Sequence, residues 1–106
     1  MIVRIWRTRV DRARMAEYET FEKNESEPMF RKQVGNLGVL FARTQDECAA
    51  ISFWRDMRSI ESLETSWTYQ QTVEKLNATG LLTGSQSLEV FRVKGGFLPT
   101  DNLSVE

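Results

Sequence analysis

The chain has 106 residues, a length typical of one small domain, and 41% hydrophobic with 27% charged residues is an ordinary composition for a folded protein. Lys and Arg number 14 and Asp and Glu number 15, so the net charge of −1 gives no electrostatic argument for a nucleic acid partner. The chain has no histidine, and Cys48 is its single cysteine. These absences exclude Ser-His-Asp and Cys-His catalysis, histidine-bound zinc and an internal disulfide.

The start of the chain and its apolar runs bear on where the protein works. Residues 1–4 already include a charged side chain, and no apolar segment of the kind found in signal peptides follows them, so we expect no signal peptide. Apolar runs such as residues 39–42 are far shorter than the roughly 20 residues that span a bilayer. The sequence therefore predicts a cytoplasmic protein that binds neither a membrane nor a nucleic acid.

The chain opens with a predicted strand that leads into a helix. Residues 2–10 are rich in β-branched and aromatic side chains, which predicts a strand. Its alternation places Arg4 and Trp6 on one face and the apolar residues beside them on the other. Asp11 fits the N-cap of the helix that follows. Apolar residues recur there at helical spacing, at Met15, Tyr18 and Phe21.

A proline and a polar turn organise the next part of the chain. Pro28 suits the first turn of a second helical segment, so the first helix is expected to break near Ser26. Residues 37–44 and 48–54 are apolar segments separated by a short polar turn. This pattern predicts that the second and third strands form a β-hairpin.

The second half of the chain repeats the order of the first. Asp56 is a predicted N-cap, and a bend is expected at residues 66–68 because the helical apolar pattern shifts there from one stripe to another. The two stripes are Ile60, Leu63 and Trp67, and then Tyr69, Val73 and Leu76. Gly80 can end the helix, and residues 87–93 predict a fourth strand. The whole order predicts an α+β, ferredoxin-like βαββαβ fold with an antiparallel four-stranded sheet.

Both faces of the predicted sheet are apolar. Helices in this arrangement cover one face, and the other is usually polar when it meets water. The alternating strand positions here carry large apolar groups in both directions, among them Val39, Leu40, Phe41, Ile51, Phe53, Trp54, Val90 and Phe91. A second copy of the chain is the simplest cover for the free face, so the sequence predicts a homodimer.

Residues 49–60 run as a strand that ends in an aromatic pair and turns through a capped polar loop into a helix. This stretch resembles the antibiotic biosynthesis monooxygenase family, to which residues 2–6 and 34–38 are also similar. The resemblance covers residues 1–94 and implies a dimeric α+β barrel, in which two sheets pack face to face with the helices outside. We therefore expect one domain at residues 1–94 and a C-terminal tail at residues 95–106.

The resemblance also implies a range of activities. Some members of the family are cofactor-independent monooxygenases that oxidise aromatic polyketide anthrones or handle quinone-type molecules, others degrade haem, and many have no known activity. The haem-degrading members use a helix-borne histidine and a strand-borne asparagine, whereas the matching stretches here are residues 71–74 and residues 5–6, which contain neither. We expect no cofactor and no metal, and a small hydrophobic or aromatic molecule as the ligand.

Four residues are candidates for a substrate pocket. The anthrone-oxidising members have a pocket between helices and sheet, lined by Trp, Tyr, Asn and Arg. The resemblance implies that Trp67 and Tyr69 supply the first two, whereas the asparagine position, one turn before the tryptophan, is Leu63 here. From the first strand, Trp6 or Arg4 would reach the same cavity, which we expect to measure roughly a few hundred Å³. No residue is identified as catalytic.

Structural explanations compete with the functional ones. Trp67 and Tyr69 are of types that pack in cores or interfaces, and Arg4 is either a salt-bridged edge group or an anion-orienting group that faces a cavity. Three classes of function follow: a cofactor-independent monooxygenase, a non-catalytic dimeric barrel that binds a small hydrophobic metabolite, and a purely structural dimer module. The sequence does not separate the first two.

Overall fold

Four strands form one antiparallel sheet in the computed structural model, which describes residues 1–99. The strands are β1 (Ile2–Arg9), β2 (Asn36–Arg43), β3 (Glu47–Trp54) and β4 (Ser87–Arg92). Their order across the sheet is β2-β3-β1-β4, and each neighbouring pair is antiparallel. The predicted ferredoxin-like α+β fold is confirmed, with strand ends that differ from the expected ones by one residue.

The helical stretch between β1 and β2 contains a π-helical turn. It runs through a 3₁₀ turn (Arg12–Arg14), α1 (Met15–Phe21), the π turn (Glu22–Ser26) and α2 (Glu27–Arg31). The Glu27 N–H donates to the Glu22 carbonyl, five residues back. Pro28 has no N–H to offer the carbonyl four residues before it, and a shift to five-residue spacing accommodates that loss. The break expected near Ser26 is therefore a widened turn within a continuous helical path.

The second helical stretch is divided in two at Ser66. Its parts are α3 (Met57–Thr65) and α4 (Trp67–Ala78). Asp56 caps α3, as expected, by accepting from the Ser59 N–H at 2.9 Å, and hydrogen bonds from the Ser59 hydroxyl and N–H hold the pKa of Asp56 below its usual value. Ser66 is extended and caps α4 by accepting from the Tyr69 N–H at 3.4 Å. The expected bend is thus a break with its own cap.

The helices pack on one face of the sheet in two apolar clusters. One cluster holds Ile2, Met29, Phe30, Trp54, Ile60 and Leu63, and the other holds Val10, Met15, Tyr18, Cys48, Leu76 and Leu81. Ile2 and Val10 belong to different clusters but to the same face of the first strand. Arg4 and Trp6, which lie between them on that face of β1, therefore face the gap between the two clusters, which is where the candidate site lies.

The opposite face of the sheet carries apolar side chains with no helix over them in the part of the chain that the structure describes. Cross-strand pairing brings them into two rows, one of Leu40, Ile51 and Ile5 and one of Phe53, Val3 and Phe91. Phe91 is 47% exposed and the others are partly buried. We call these six residues the open face.

No helix within residues 1–99 is both long and apolar enough to cross a membrane. Residues 95–99 follow β4 as exposed irregular chain. Residues 100–106 of the expected tail lie outside the described residues, and the division into a domain of residues 1–94 and a tail stays a prediction.

Candidate functional site

A cavity of about 90 Å³ lies between the two apolar clusters, against the helix-covered face of the sheet. Residues from β1, β2, β3, the helical segments and the loop before β4 line it, and most of them are apolar or aromatic, including Trp6, Tyr18, Met29, Phe30, Phe41 and Tyr69. The volume is below the few hundred Å³ expected from the sequence. Both α2 and α4 pack closely on the sheet here: the rings of Phe30 in α2 and Phe41 in β2 are 6.4 Å apart, and Leu76 of α4 is 8% exposed.

Arg4 is the charged residue of this cavity. Its side chain reaches the helix-covered face because β1 alternates, and the residue is only 3% exposed. Its Nη2 donates to the Tyr69 hydroxyl at 3.0 Å, and its guanidinium carbon lies 5.5 Å from the centre of the Tyr69 ring. Its Nε is enclosed without a hydrogen-bond partner. Arg4 makes no ion pair with any residue among residues 1–99.

The backbone beneath Arg4 is held by buried hydrogen bonds. Arg4 lies on a central strand, opposite Ser52 of β3 and Val90 of β4. The Ser52 hydroxyl is fully buried, donates to the Arg4 carbonyl at 3.4 Å and accepts from the Trp54 indole N–H at 2.8 Å. Because Trp54 is itself 0% exposed, the strand under the guanidinium has a fixed position in the core.

Tyr69 and Trp67 take opposite directions at the start of α4. Tyr69 is partly buried, lines the cavity and bonds to Arg4. Trp67 is 70% exposed and is not among the lining residues. Positions two apart on a helix cannot share a face, and the break at Ser66 turns the second of them inward. Leu63, where the sequence resemblance implied an asparagine, is fully buried in the first apolar cluster.

The structure thus brings three of the four sequence candidates, Arg4, Trp6 and Tyr69, to one cavity. Sequence reasoning did not name Gln86, whose side-chain oxygen accepts from the Trp6 indole N–H at 3.2 Å and ties the first strand to the loop before β4. It also did not name Tyr18 as a lining residue, although the helical spacing of apolar residues had placed this side chain on the buried face of α1. That these residues bind substrate stays a prediction.

Burial shifts the pKa of Tyr18, which lines the cavity, and of two groups outside the lining, Glu22 and Cys48. Tyr18 is 3% exposed, and burial raises the pKa of its hydroxyl, with the nearby Glu22 adding to the shift. Burial also raises the pKa of Glu22 to about 7 and that of the Cys48 thiol to about 11. Cys48 is 1% exposed, and its thiol faces the Met15 sulfur at 3.7 Å, as a small packed side chain would.

The lining contains no carboxylate within the described residues. A proton released from a bound molecule would therefore pass to water. The arrangement as a whole offers an aromatic enclosure, one buried cation and hydroxyl groups. It can hold a flat molecule and favour negative charge on it.

No family model matches the chain, and no curated protein is significantly similar to it in sequence. Solved structures do match. SnoaB, a cofactor-independent oxygenase from Streptomyces nogalater, is 19% identical with a TM-score of 0.74, over 90% of this chain and 94% of that chain. A monooxygenase from the gene ActVA-Orf6 of Streptomyces coelicolor, in complex with nanaomycin D, is 16% identical with a TM-score of 0.78, over 93% and 92%.

A protein of unknown function from Nitrosomonas europaea has the same fold, at 13% identity and a TM-score of 0.74 over 94% of this chain and 95% of that chain. At these identities the likeness establishes the fold. The chain has the fold of the antibiotic biosynthesis monooxygenase-type proteins, as the sequence resemblance implied.

Proposed function

We propose that the chain is a cofactor-independent monooxygenase that oxidises a planar aromatic substrate, of the polyketide or quinol type, in the cavity at Arg4. The observation that carries the proposal is the buried guanidinium of Arg4, which has no ion-pair partner within residues 1–99 and faces an aromatic enclosure. The chain also shares its fold with two oxygenases of Streptomyces. A structural core would not need an unneutralised cation, whereas a site for an ionising substrate would.

The residues of the cavity would bind, orient and desolvate the substrate. Aromatic side chains such as Trp6 and Tyr69 offer flat surfaces for a ring and keep water away from it. Arg4 would favour the deprotonated substrate, because an opposite charge nearby lowers the pKa of an acid. The released proton would pass to water, since the described lining holds no carboxylate.

The reaction balances without an external reductant. In an anthrone-type substrate, the reacting methylene carbon loses two hydrogens and gains one oxygen atom from dioxygen as a carbonyl. The second oxygen atom leaves as water with those two hydrogens. The substrate supplies all four electrons, so the protein contributes positioning and charge stabilisation and needs no cofactor.

We further propose that the chain works as a homodimer joined through the open face. The rows centred on Ile5 and Val3 place six apolar side chains on a sheet face with no helix above it among the described residues. An apolar surface of this kind on a small protein marks an interaction site, and a second copy offers a matching face. Like the cytoplasmic location, the dimer was expected from the sequence.

A second candidate function is a non-catalytic barrel that captures a small hydrophobic metabolite. It is favoured by the same lining, which offers no carboxylate in the described residues, and by the absence of histidine from the sequence. In that case the cavity would bind a ligand and leave it unchanged.

Dioxygen uptake separates the two functions. With an anthrone that carries phenolic hydroxyls, or with a substituted quinol, the protein should raise the rate of dioxygen uptake well above the spontaneous rate. Arg4→Gln should reduce this catalysed rate about 100-fold, the effect of losing one charge-stabilising donor. Arg9→Gln is the matched control, since Arg9 lies on the same strand, is exposed and pairs with Asp46, and its rate should not change. Measurable binding with uptake only at the spontaneous rate would support the metabolite-binding barrel instead.

A further inference from the structure

We infer that Arg4 and Tyr69 form a receptor for one acidic oxygen, so that the cavity takes an aromatic ligand as its monoanion. The inference deepens the proposed function by naming the substrate class, and it rests on that proposal only for the location of the site. Turnover is not required for it. The anion could be a carboxylate or an ionised phenol, which present the same negatively charged oxygen to a guanidinium.

The hydrogen-bonding groups of this pair are mostly unused. A guanidinium has five N–H donors, and the only one of Arg4 with an acceptor among residues 1–99 is on Nη2, which bonds to Tyr69 at 3.0 Å. The Tyr69 hydroxyl accepts that bond, and its own proton has no acceptor in the same part of the chain. Several free donors around one cation suit a ligand that accepts, which is the chemistry of a carboxylate or phenolate oxygen.

The charge of the site is also unbalanced. Arg4 is 3% exposed and forms no ion pair within the described residues, and the described lining brings no carboxylate to the cavity. A buried cation in that state is unfavourable unless a counter-charge arrives. A bound monoanion would supply it and would at the same time fill the unused donors.

The other lining residues and the cavity volume indicate the shape and size of the rest of the ligand. Trp6, Phe30 and Phe41 are among the lining side chains, which suits an aromatic ring. A volume of about 90 Å³ is several times what one buried water needs but small for a drug-sized molecule. A single ring is the group of that scale. The remaining rings or substituents of a larger ligand, such as an anthrone, would extend outward past Asn77 and Gln86, which line the cavity and are exposed.

A purely structural role for Arg4 makes a different prediction. If its contact with the Tyr69 ring served to hold α4 on the sheet, Arg4→Met would lower the melting temperature. An anion receptor predicts a melting temperature equal to or above that of the wild type, because an apolar side chain of similar length replaces a buried unpaired charge. The two roles are therefore separable without any assay of activity.

The test is a calorimetric titration of the full-length protein at pH 7 with benzoate and with benzamide, its neutral analogue of the same shape. Benzoate should bind about tenfold more tightly or better, as a charge-assisted contact to a buried guanidinium requires. Arg4→Met should remove the preference, and Arg4→Lys should retain part of it. Arg9→Met, which removes an exposed arginine of the same strand, should bind both compounds as the wild type does.

Equal affinities for benzoate and benzamide, or no binding of benzoate at millimolar concentration, would overturn the inference. So would a preference that survives in Arg4→Met. If Arg4→Met fails to fold, a preference that Arg4→Lys retains in full or in part supports the role of charge, and its complete loss contradicts it. A preference for benzoate without catalysed dioxygen uptake would support the anion receptor and contradict the oxygenase. Catalysed uptake without that preference would support the oxygenase and contradict the anion receptor.

Discussion

Glu22 is a carboxylate at the π turn whose surroundings disfavour its charge. Burial raises its pKa to about 7 and the neighbouring Glu19 contributes, while Arg43 opposes the shift. In the unfolded chain the group titrates at about 4.5. Because the folded state holds its proton to higher pH, this residue lowers stability progressively as the pH rises from about 4.5 to 7, and the full cost persists above 7.

Glu22→Gln should therefore stabilise the protein at pH 8 by about 1 to 2 kcal/mol, a range reduced for the partial exposure of the side chain. At pH 4 the variant and the wild type should agree to within about 0.5 kcal/mol, since Glu22 is then mostly protonated in both states. Chemical denaturation at the two pH values measures both differences. Glu61→Gln, an exposed position on α3, is the control and should shift neither. A Glu22→Gln variant that gains nothing at pH 8 would show that the carboxylate is solvated.

The direction of a side chain could be predicted from the sequence where the two-residue alternation of a strand determines it. The alternation of β1 put Arg4 and Trp6 on one face, and both line the cavity. Whether Arg4 meets a carboxylate or a cavity depends on residues more than 40 positions away in the chain, such as Tyr69. That choice belongs to tertiary packing, so the sequence left both alternatives open.

Gly35 lies in the connection between α2 and β2 and has a backbone conformation that is unfavourable for residues with a side chain. Its φ is +80°, and a Cβ at this position would overlap the Ser59 hydroxyl. Ser59 cannot yield easily, because it is 4% exposed and its hydroxyl donates to Asp56, the cap of α3, at 2.7 Å. The Gly35 carbonyl also accepts from the Arg55 N–H at 2.9 Å. The turn therefore joins β2, β3 and α3 at one point.

Gly35→Ala should lower the free energy of unfolding by about 2 to 4 kcal/mol, from the left-handed conformation and the overlap together. Urea denaturation followed by circular dichroism measures the loss. Gly95→Ala provides the control, because a Cβ there meets open space and its φ is not in the left-handed region, so its change should stay within about 0.5 kcal/mol. Equal stabilities of the two variants would mean that the turn rearranges freely.

Helix boundaries were predictable where a cap or a shifted stripe marked them. Asp56 and the change of stripe at residues 66–68 located the start of α3 and its break from α4. The π turn was not predictable in that detail, since Pro28 is compatible with a break, a kink or a widened turn. The direction of Trp67 was also beyond the sequence, because it depends on the angle at which α4 leaves Ser66.

Substitutions on the two faces of the sheet should affect assembly and folding differently. Ile51 is on the open face and Phe41 is on the helix-covered face, where its ring centre is 6.4 Å from that of Phe30. The sequence alone could not assign these faces, because both alternate sets of strand residues are apolar. The structure assigns them through the helices that contact Phe41.

Light scattering on dilute protein should give roughly twice the 12.3 kDa of the chain. Ile51→Asp should yield a monomer that keeps its secondary structure, because an unpaired carboxylate would be costly within a sheet-to-sheet interface. Phe41→Asp should unfold the protein, since that carboxylate would lie in the core. Val34→Asp makes a similar change at a residue that is 72% exposed and should leave the mass unaltered. A wild-type monomer at low micromolar concentration would contradict the homodimer.

Labelling with isotopic dioxygen tests whether the molecule is an oxygenase with its active site at Arg4. The protein is incubated under ¹⁸O₂ with a phenolic anthrone, and the product is examined by mass spectrometry beside parallel incubations with Arg4→Gln and Arg9→Gln. We expect the wild type and Arg9→Gln to form the quinone with one ¹⁸O atom, and Arg4→Gln to form it at about one hundredth of the catalysed rate. A product that forms no faster than without protein, or equally fast with all three proteins, would contradict the account.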